Sequence, residues 1–338
     1  MTSEINRRVV LASRPAAYPE SQHFRIEEVP IPRPREGEVL VKVIWLSLDP
    51  YMRGRMREGP SYATPVAVGG VMTGGVVGRV VESRSPEVEV GDIVEGSLGW
   101  QEYAVSRPGA LRKVDPDLAP ISTAIGVLGM PGMTAYHGLL EVGQPEVGDT
   151  VVVSAASGAV GQVVGQIARI MGCRVVGTAG SDDKVDFIVN ELGFDAGINY
   201  KTEDVDAALA TACPDGIDVY FDNVGGFVTD AVMQQINIHA RISVCGQISQ
   251  YNLAEPEMAP RSMGLLIQKQ ARMEGFLVFN FAHRHDHARQ RMAEWIRSGE
   301  LRYKEDVVEG LENAPRAFVG MMTGENFGKL LIKVGSES

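Results

Sequence analysis

The chain has 338 residues, 44% of them hydrophobic and 22% charged, with a formal net charge of −11. That length suits about two domains, the balance is that of a soluble globular protein, and the acidic charge argues against nucleic acid or an anionic membrane as a main partner. The opening "MTSEINRRVV" has no secretory h-region and no run approaches the ~20 apolar residues of a membrane span. The three scattered cysteines (Cys173, Cys213, Cys245) make neither a disulfide framework nor a Cys-rich zinc site, so a reducing, cytoplasmic compartment is expected.

The first hundred residues read as short strands broken by Gly and Pro. "GEVLVKVIWLSLDP" (37–50), "VGGVMTGGVVGRVVES" (68–83) and "VGDIVEGSLGWQEYAV" (90–105) carry β-branched apolar runs between turn formers. Regular small strands of this kind predict a barrel-like β domain. The glycines at 69, 70, 74, 75 and 78 fit sharp bends or backbone-to-backbone packing, with direct ligand contact as the other reading.

The texture changes near residue 125. "DTVVVSAASGAVGQVVGQIARIMGCRVVGTAGS" is strand, turn, helix and strand. The helix is expected from about Gly158 to Met171, with Val160, Val163, Val164, Ile167, Ala168 and Met171 on one face and Gly172 as its stop. Strands follow at 196–200, 217–224, 241–248 and 274–279. Helical stretches at 183–192, 203–212, 226–238 and 261–271 alternate with them. That alternation predicts an α/β fold with a doubly wound parallel sheet. A helix is expected at 287–301, after which the tail returns to complete the first domain.

The turn "SAASGAVGQ" (154–162) joins a strand to a helix, where free N–H groups and the helix dipole meet a pyrophosphate. Gly158 and Gly161 hold the second and third positions of the dinucleotide fingerprint, while Ala156 stands at the first. The second strand ends at Thr178-Ala179-Gly180, with none of the acid that binds a ribose 2′-OH. Lys184 follows, so a 2′-phosphate and NADPH are favoured over NADH. Asp182 and Asp183 fit helix capping and first-turn dipole pairing, or else weigh weakly towards NADH. Cys245 reads as a small buried apolar residue, and Asn223 and Asn326 can each be plain turn formers.

Taken together, "AASGAVGQVVGQIAR", "GTAGSDDK", "GFDAGINYK", "DVYFDNVGG", "CGQISQYN", "GLENAPRAF", "GENFGK" and "SLDPYMRGRM" resemble the zinc-independent medium-chain dehydrogenase/reductases. Within them they are similar to the branch of leukotriene 12-hydroxydehydrogenase/prostaglandin reductase, alkenal double-bond reductase and curcumin reductase. The resemblance spans essentially the whole chain. It implies a GroES-like β-barrel domain for substrate and catalysis from 1–126 and 301–338, and a Rossmann NADP-binding domain at 127–300. Cofactor and substrate would meet in the interdomain cleft, and a homodimer would be formed.

The resemblance further implies that Gly158, Ala159, Val160 and Gly161 hold the pyrophosphate of NADP(H). Lys184 and Tyr200 would meet the 2′-phosphate, and Asn223 the ribose. Cys245, Gly246, Gln247, Ile248, Ser249 and Tyr251 would run under the cofactor. Phe276, Leu277 and Val278 would position the carboxamide, largely through their backbone, and Asn326 would reach in from the tail. Tyr251 would be the catalytic donor and Tyr51 the second catalytic candidate, for contacting substrate. Tyr251 as a surface loop residue and Tyr51 as a barrel-core residue are the plainer readings. Arg53 and Arg55 are candidates for attracting a carboxylated substrate, or ordinary exposed arginines. Tyr103 and Met130 are candidate pocket residues.

No metal is expected. Where zinc enzymes of this superfamily place Cys and Gly-His-Glu ligands, the chain has Leu46 and Gly70-Val71-Met72, and a catalytic zinc needs about three protein ligands. "HRHDH" (283–287) reads as the polar face of a helix start rather than a metal cluster. Without a Lewis acid, hydride delivery from NADPH to the activated C=C bond of a small-molecule enone or enal is the expected reaction, with a donor for the developing enolate oxygen. NADPH-dependent quinone reduction, or a non-catalytic NADPH-binding protein, are the alternatives.

Overall fold

The computed structural model describes residues 5–59 and 61–337. They fall into two compact units: the described parts of Met1–Gly126 with Glu305–Ser338, and Val127–Lys304.

The first unit is built on a seven-stranded sheet. Its central strand, Val39–Ser47, pairs antiparallel with Val76–Ser83, with Tyr103–Ser106 and with Lys329–Lys333 from the tail. Glu305–Glu309 closes that edge, parallel to Lys329–Lys333. Ile93–Gly96 and Leu111–Lys113 extend the other. Ile5–Leu11 and Phe24–Pro30 form a separate antiparallel pair. The core gathers Val39, Val41, Val80, Val88 and Val94 on one side, and Ile44, Val77, Ile125 and Leu331 on another. Phe24 stacks on Trp100, and Phe318 meets both rings edge-on.

Two of the Gly-Val run's glycines are packing glycines. A Cβ on Gly78 would lie 2.5 Å from the Lys42 carbonyl oxygen, and one on Gly74 2.7 Å from Leu46 Cδ1. Both are close approaches that only a missing side chain permits. Most of 68–75 is not strand: the strand itself runs Val76–Ser83.

The second unit holds six parallel strands: Thr150–Val153, Arg174–Ala179, Ala196–Asn199, Ile217–Asp222, Ile236–Val244 and Arg272–Gly275. In that chain order they lie 3-2-1-4-5-6 across the sheet, so the direction of winding reverses between the first and fourth strands. Val151–Val153 and Val219–Phe221 line this centre fully buried, which is why both read as continuous apolar runs.

Helix Gly161–Ile170 packs Val163, Val164, Ile167 and Ala168 inward at 0% exposure. It starts three residues later than expected, because Gly158–Val160 stay in the turn. The stretch expected as one helix at 183–192 is helix Asp182–Asp186 followed by a wider π-type turn, Phe187–Glu191.

Two stretches differ more. The expected helix 226–238 stops at Gln234, and the next strand already begins at Ile236. Ile236 is buried against the sheet, paired with Ile217. That strand ends at Val244 rather than 248, because the Cys245 and Gly246 amides turn to donate to the Asp222 carbonyl (2.9 and 3.0 Å). The edge strand is Arg272–Gly275 rather than 274–279, since Phe276 leaves the sheet to pack inward.

The second unit runs past the expected residue 300 to Lys304 for a visible reason. Gln162 and Gln166, buried one turn apart on helix Gly161–Ile170, each bond both backbone groups of one residue in the exit segment. Gln166 takes Arg302 (2.8 Å from N–H, 2.8 Å to C=O), and Gln162 takes Lys304 (2.9 and 3.3 Å).

Candidate active site

The carboxyl ends of Thr150–Val153 and Ile217–Asp222 flank the reversal, the place where open α/β sheets bind ligands. They are tied together there. The Asn223 N–H donates to Ser154 Oγ at 2.9 Å, and its Nδ2 donates to the Ser154 carbonyl at 2.8 Å. Ser154 Oγ in turn lies 3.3 Å from Asp222 Oδ1.

Asp222 organises this end, a role that sequence reasoning missed. Its carboxylate is 1% exposed. Oδ1 accepts from the Val224 and Gly225 amides (2.9 and 2.8 Å) and from the Tyr220 hydroxyl (3.0 Å), while Oδ2 accepts from Thr229 Oγ1 (2.7 Å). A buried carboxylate is tolerable when its lone pairs are met in this way. The signal was present in "DNVGG": an Asp at a strand end, with amides two and three residues on, is an Asx-turn pattern.

The glycine-rich turn follows the first strand. Ala155, not Ala156, carries its left-handed backbone, at φ 50°. The Ala155 carbonyl accepts from the Gly158 amide at 3.0 Å. A Cβ on Gly161 would lie 2.3 Å from that same oxygen, and one on Gly158 3.2 Å from it. Gly161 therefore lets the helix sit against the turn, and the amides of Ala159, Val160 and Gly161 lie at the positive end of the helix dipole.

At the end of the second strand the Thr178 hydroxyl is buried without a hydrogen-bond partner among the described residues. Next to it, a Cβ on Gly180 would lie 2.7 Å from Tyr200 Oη and 3.3 Å from Lys201 Cε. Tyr200 and Lys201 thus cover the strand end where NAD enzymes carry an acid, and Lys184 stands half-buried on the helix that follows. Lys201 was not among the expected residues; its place here depends on the third strand crossing beside the second. Burial raises the Tyr200 phenol. Asp182, in the first turn of its helix, accepts from Asn199 Nδ2 (2.6 Å), and Asp183 is exposed. A groove of about 440 Å³ opens on the Tyr200–Phe227 edge-to-face pair.

The loop after the fifth strand lies over Asn223 and Val224. The Ile248 amide donates to the Asn223 carbonyl (3.3 Å), while the Ser249 amide and hydroxyl donate to the Val224 carbonyl (3.1 and 2.6 Å). Tyr251 curls back on this loop so that its hydroxyl oxygen accepts from the exposed Gln247 amide at 3.2 Å. A Cβ on Gly246 would lie 3.2 Å from the same oxygen. Burial, and then Asp222, push the Cys245 thiol up to about 12, so it is no thiolate nucleophile at neutral pH.

Phe276 spends its side chain on packing. Its ring meets Phe221 and Phe281 edge-on, and a Cβ on Gly138 would lie 2.3 Å from its Cζ. The backbone of Phe276, Leu277 and Val278 is what the segment presents. "HRHDH" is not simply a solvent face. His283 and His287 are exposed, but His285 turns inward and its Nε2 lies 3.2 Å from the Val278 carbonyl.

Tyr51 and Asn326 belong to the first unit. Tyr51 opens helix Tyr51–Arg55; burial, then Asp49, raise its phenol. Lys329, 3% exposed, donates to Asp49 Oδ1 (2.9 Å) and the Leu48 carbonyl (2.7 Å). Asn326 donates to the Gly328 carbonyl (2.9 Å), the bond of a turn former. Arg53 and Arg55 are buried, not exposed. Arg53 donates to the Ala17 carbonyl (2.6 Å), and Arg55 to Ser61 Oγ (3.1 Å) with its guanidinium 4.4 Å from the Tyr62 ring centre.

The family described as "N-terminal domain of oxidoreductase" matches residues 7–114, and that described as "Zinc-binding dehydrogenase" matches residues 159–298. The donors here do not fit a zinc ion. Leu46 and Met72 are wholly buried hydrocarbon and thioether, and among the described residues no three His, Cys, Asp or Glu side chains group to hold a metal. The chain is 47% identical to the NADPH-dependent curcumin reductase of Escherichia coli, over 98% of each. It is 47% identical to the 2-alkenal reductase (NADP(+)-dependent) of Nicotiana tabacum, over the whole of each. The crystal structure of CurA from Vibrio vulnificus in complex with NADPH superposes with a TM-score of 0.94, at 46% identity, covering 98% of this chain and 99% of that one. A parallel sheet wound 3-2-1-4-5-6, a separate strand-rich unit and this likeness along the whole length lead to one assignment: the chain belongs to the medium-chain dehydrogenase/reductase family, in the zinc-independent branch that holds the curcumin and alkenal reductases.

Proposed function

We propose that the chain is an NADPH-dependent, metal-independent reductase of the C=C bond of α,β-unsaturated ketones and aldehydes. The unit built from both chain ends serves as the substrate domain, and Val127–Lys304 as the NADP-binding domain. NADPH, when bound, supplies the hydride that adds to the β-carbon.

The chain's own residues supply placement and charge. The turn Gly158–Gly161 receives the pyrophosphate on the amides of Ala159, Val160 and Gly161, the Gly158 amide being spent on the Ala155 carbonyl. Lys184 and Tyr200, with Lys201 beside them, receive the 2′-phosphate. Asn223 and the loop Cys245–Tyr251 seat the ribose, and the backbone of Phe276–Val278 takes the carboxamide. Asn326 is assigned a supporting contact from the tail.

As the β-carbon is reduced, negative charge gathers on the substrate carbonyl oxygen. The Tyr251 hydroxyl donates to it, directly or through a ribose hydroxyl, as an oxyanion donor does. Tyr51 contacts substrate, and water protonates the α-carbon.

The observation that carries this reading is the loop over the sheet's reversal point, in which the Gln247 amide donates to the Tyr251 oxygen and so places the phenol at the strand ends. It agrees with the activities in the relatives' names. Product analysis tests it: a saturated ketone or aldehyde supports the reading, and a hydroquinone as the sole product contradicts it.

A homodimer is part of the same proposal. Arg272–Gly275 is an edge strand with all four residues exposed, and Ile238 and Ile267 are 59% and 83% exposed. A second copy pairing along that edge would cover backbone that monomers must otherwise protect. No helix among the described residues is long and apolar enough to cross a membrane. The cytoplasm is our reading from three free cysteines.

A further inference from the structure

We propose that His285 is a positioning residue for the nicotinamide end of the cofactor site, holding the Val278 carbonyl and, through it, the backbone of 276–278. The inference rests on the reading above that this backbone receives the carboxamide.

The Val278 carbonyl can only accept, so His285 Nε2, 3.2 Å away, must carry the proton and donate. A stack of rings backs it. His285 stacks on His137 with centroids 5.4 Å apart and planes at 28°, and His137 stacks in turn on Phe281 at 5.0 Å and 6°. His137 is 1% exposed, and neither of its ring nitrogens has a hydrogen-bond partner among the described residues. Burial, then His285, lower its pKa to about 4, with Glu141 pulling the other way and Arg284 and His283 adding to the lowering. His137 therefore serves as a flat neutral plate. Phe276 packs on Phe221 and Phe281 below, the Leu277 carbonyl accepts from the Asn280 amide at 3.0 Å as the helical turn Val278–Arg284 begins, and His285 adds a side-chain bond to the Val278 carbonyl. Loss of that bond removes the side-chain restraint on the Val278 carbonyl, leaving its orientation to the backbone turn alone while the rings stay in place.

His285→Leu removes the donor, and His285→Gln keeps an N–H at similar reach. Binding of NADPH and of 2′-phospho-ADP-ribose, which has no nicotinamide, is measured by fluorescence titration on both variants and the wild type, with circular dichroism to confirm folding. The expected result is NADPH binding about threefold to tenfold weaker in His285→Leu, the effect of one net hydrogen bond. His285→Gln should restore most of it, with 2′-phospho-ADP-ribose binding unchanged in both. Equal weakening of both ligands, or no change for NADPH, overturns the positioning role. Should His285→Leu fail to fold, His285→Gln decides by comparison with His285→Asn, whose shorter amide falls short of the carbonyl: equal NADPH binding in the two overturns it. A wild-type protein that binds 2′-phospho-ADP-ribose but gains nothing from the nicotinamide contradicts the underlying reading instead.

Discussion

The methyl group of Ala156 fills the space that a side chain on Gly177 would need: a Cβ on Gly177 would lie 2.6 Å from Ala156 Cβ. Ile188 Cδ1 and Phe194 Cδ2 crowd the same point at 2.7 and 2.9 Å. The alanine at the first fingerprint position is thus matched by a glycine on the neighbouring strand. Gly177→Ala should destabilise by about 1–3 kcal/mol, the cost of overpacking a tight core. Ala156→Gly should recover only part, since two of the three contacts remain. Urea unfolding of the single and double variants checks this, and strict additivity would show that the two positions do not share the space.

The strand end at Gly180 has Tyr200 and Lys201 over it and no carboxylate of its own. Lys184→Ala should raise the KM for NADPH much more than that for NADH. Lys201→Ala should do the same more weakly, because that side chain is exposed. Parallel steady-state kinetics with the two cofactors decide it, and equal effects on both would remove the lysines from the 2′-phosphate.

Tyr251→Phe keeps the ring and removes the donor. It should lower kcat for enones with little change in KM. Losing one oxyanion donor costs up to about 10²–10³ in rate, less where a ribose hydroxyl or water takes over. Unchanged kcat would take Tyr251 out of the chemistry.

His137 ties stability to pH. Its folded pKa is depressed to about 4 from an ordinary 6.5. Between those values the unfolded chain takes up a proton that the folded chain refuses, so stability falls as pH falls through that window and levels off below it. The contribution is at most about 3 kcal/mol. His137→Phe, which keeps the stack on Phe281, should flatten that part of the curve in denaturant titrations at stepped pH. A curve as steep as wild type would place the acid sensitivity elsewhere.

Much of this was legible in the sequence, and what was not shares a cause. Val151–Val153, Gly158 and Gly161 announce themselves by local pattern, because burial on both faces and a tight turn each restrict residue type. The ends of the fifth and sixth strands were misplaced because they are set by distant partners: the Asp222 carbonyl that captures the Cys245 and Gly246 amides, and the space over Gly138 that draws in Phe276. Arg53 and Arg55 looked like surface charges, since nothing local reveals that the Ala17 carbonyl and Tyr62 cover them. His285 looked like one of three polar histidines, because its stack on His137 is tertiary. Asp222 alone had a readable local signature.

Enone reduction by NADPH is tested most directly by following the hydride. The purified protein is incubated with a 2-alkenal and NADPH deuterated at the transferred position of the nicotinamide ring, and the product is read by mass spectrometry and NMR. The expected product is the saturated aldehyde, with deuterium at the β-carbon and a solvent-derived proton at the α-carbon. Recovery of unreduced alkenal, or deuterium at the carbonyl carbon of an allylic alcohol, would contradict it.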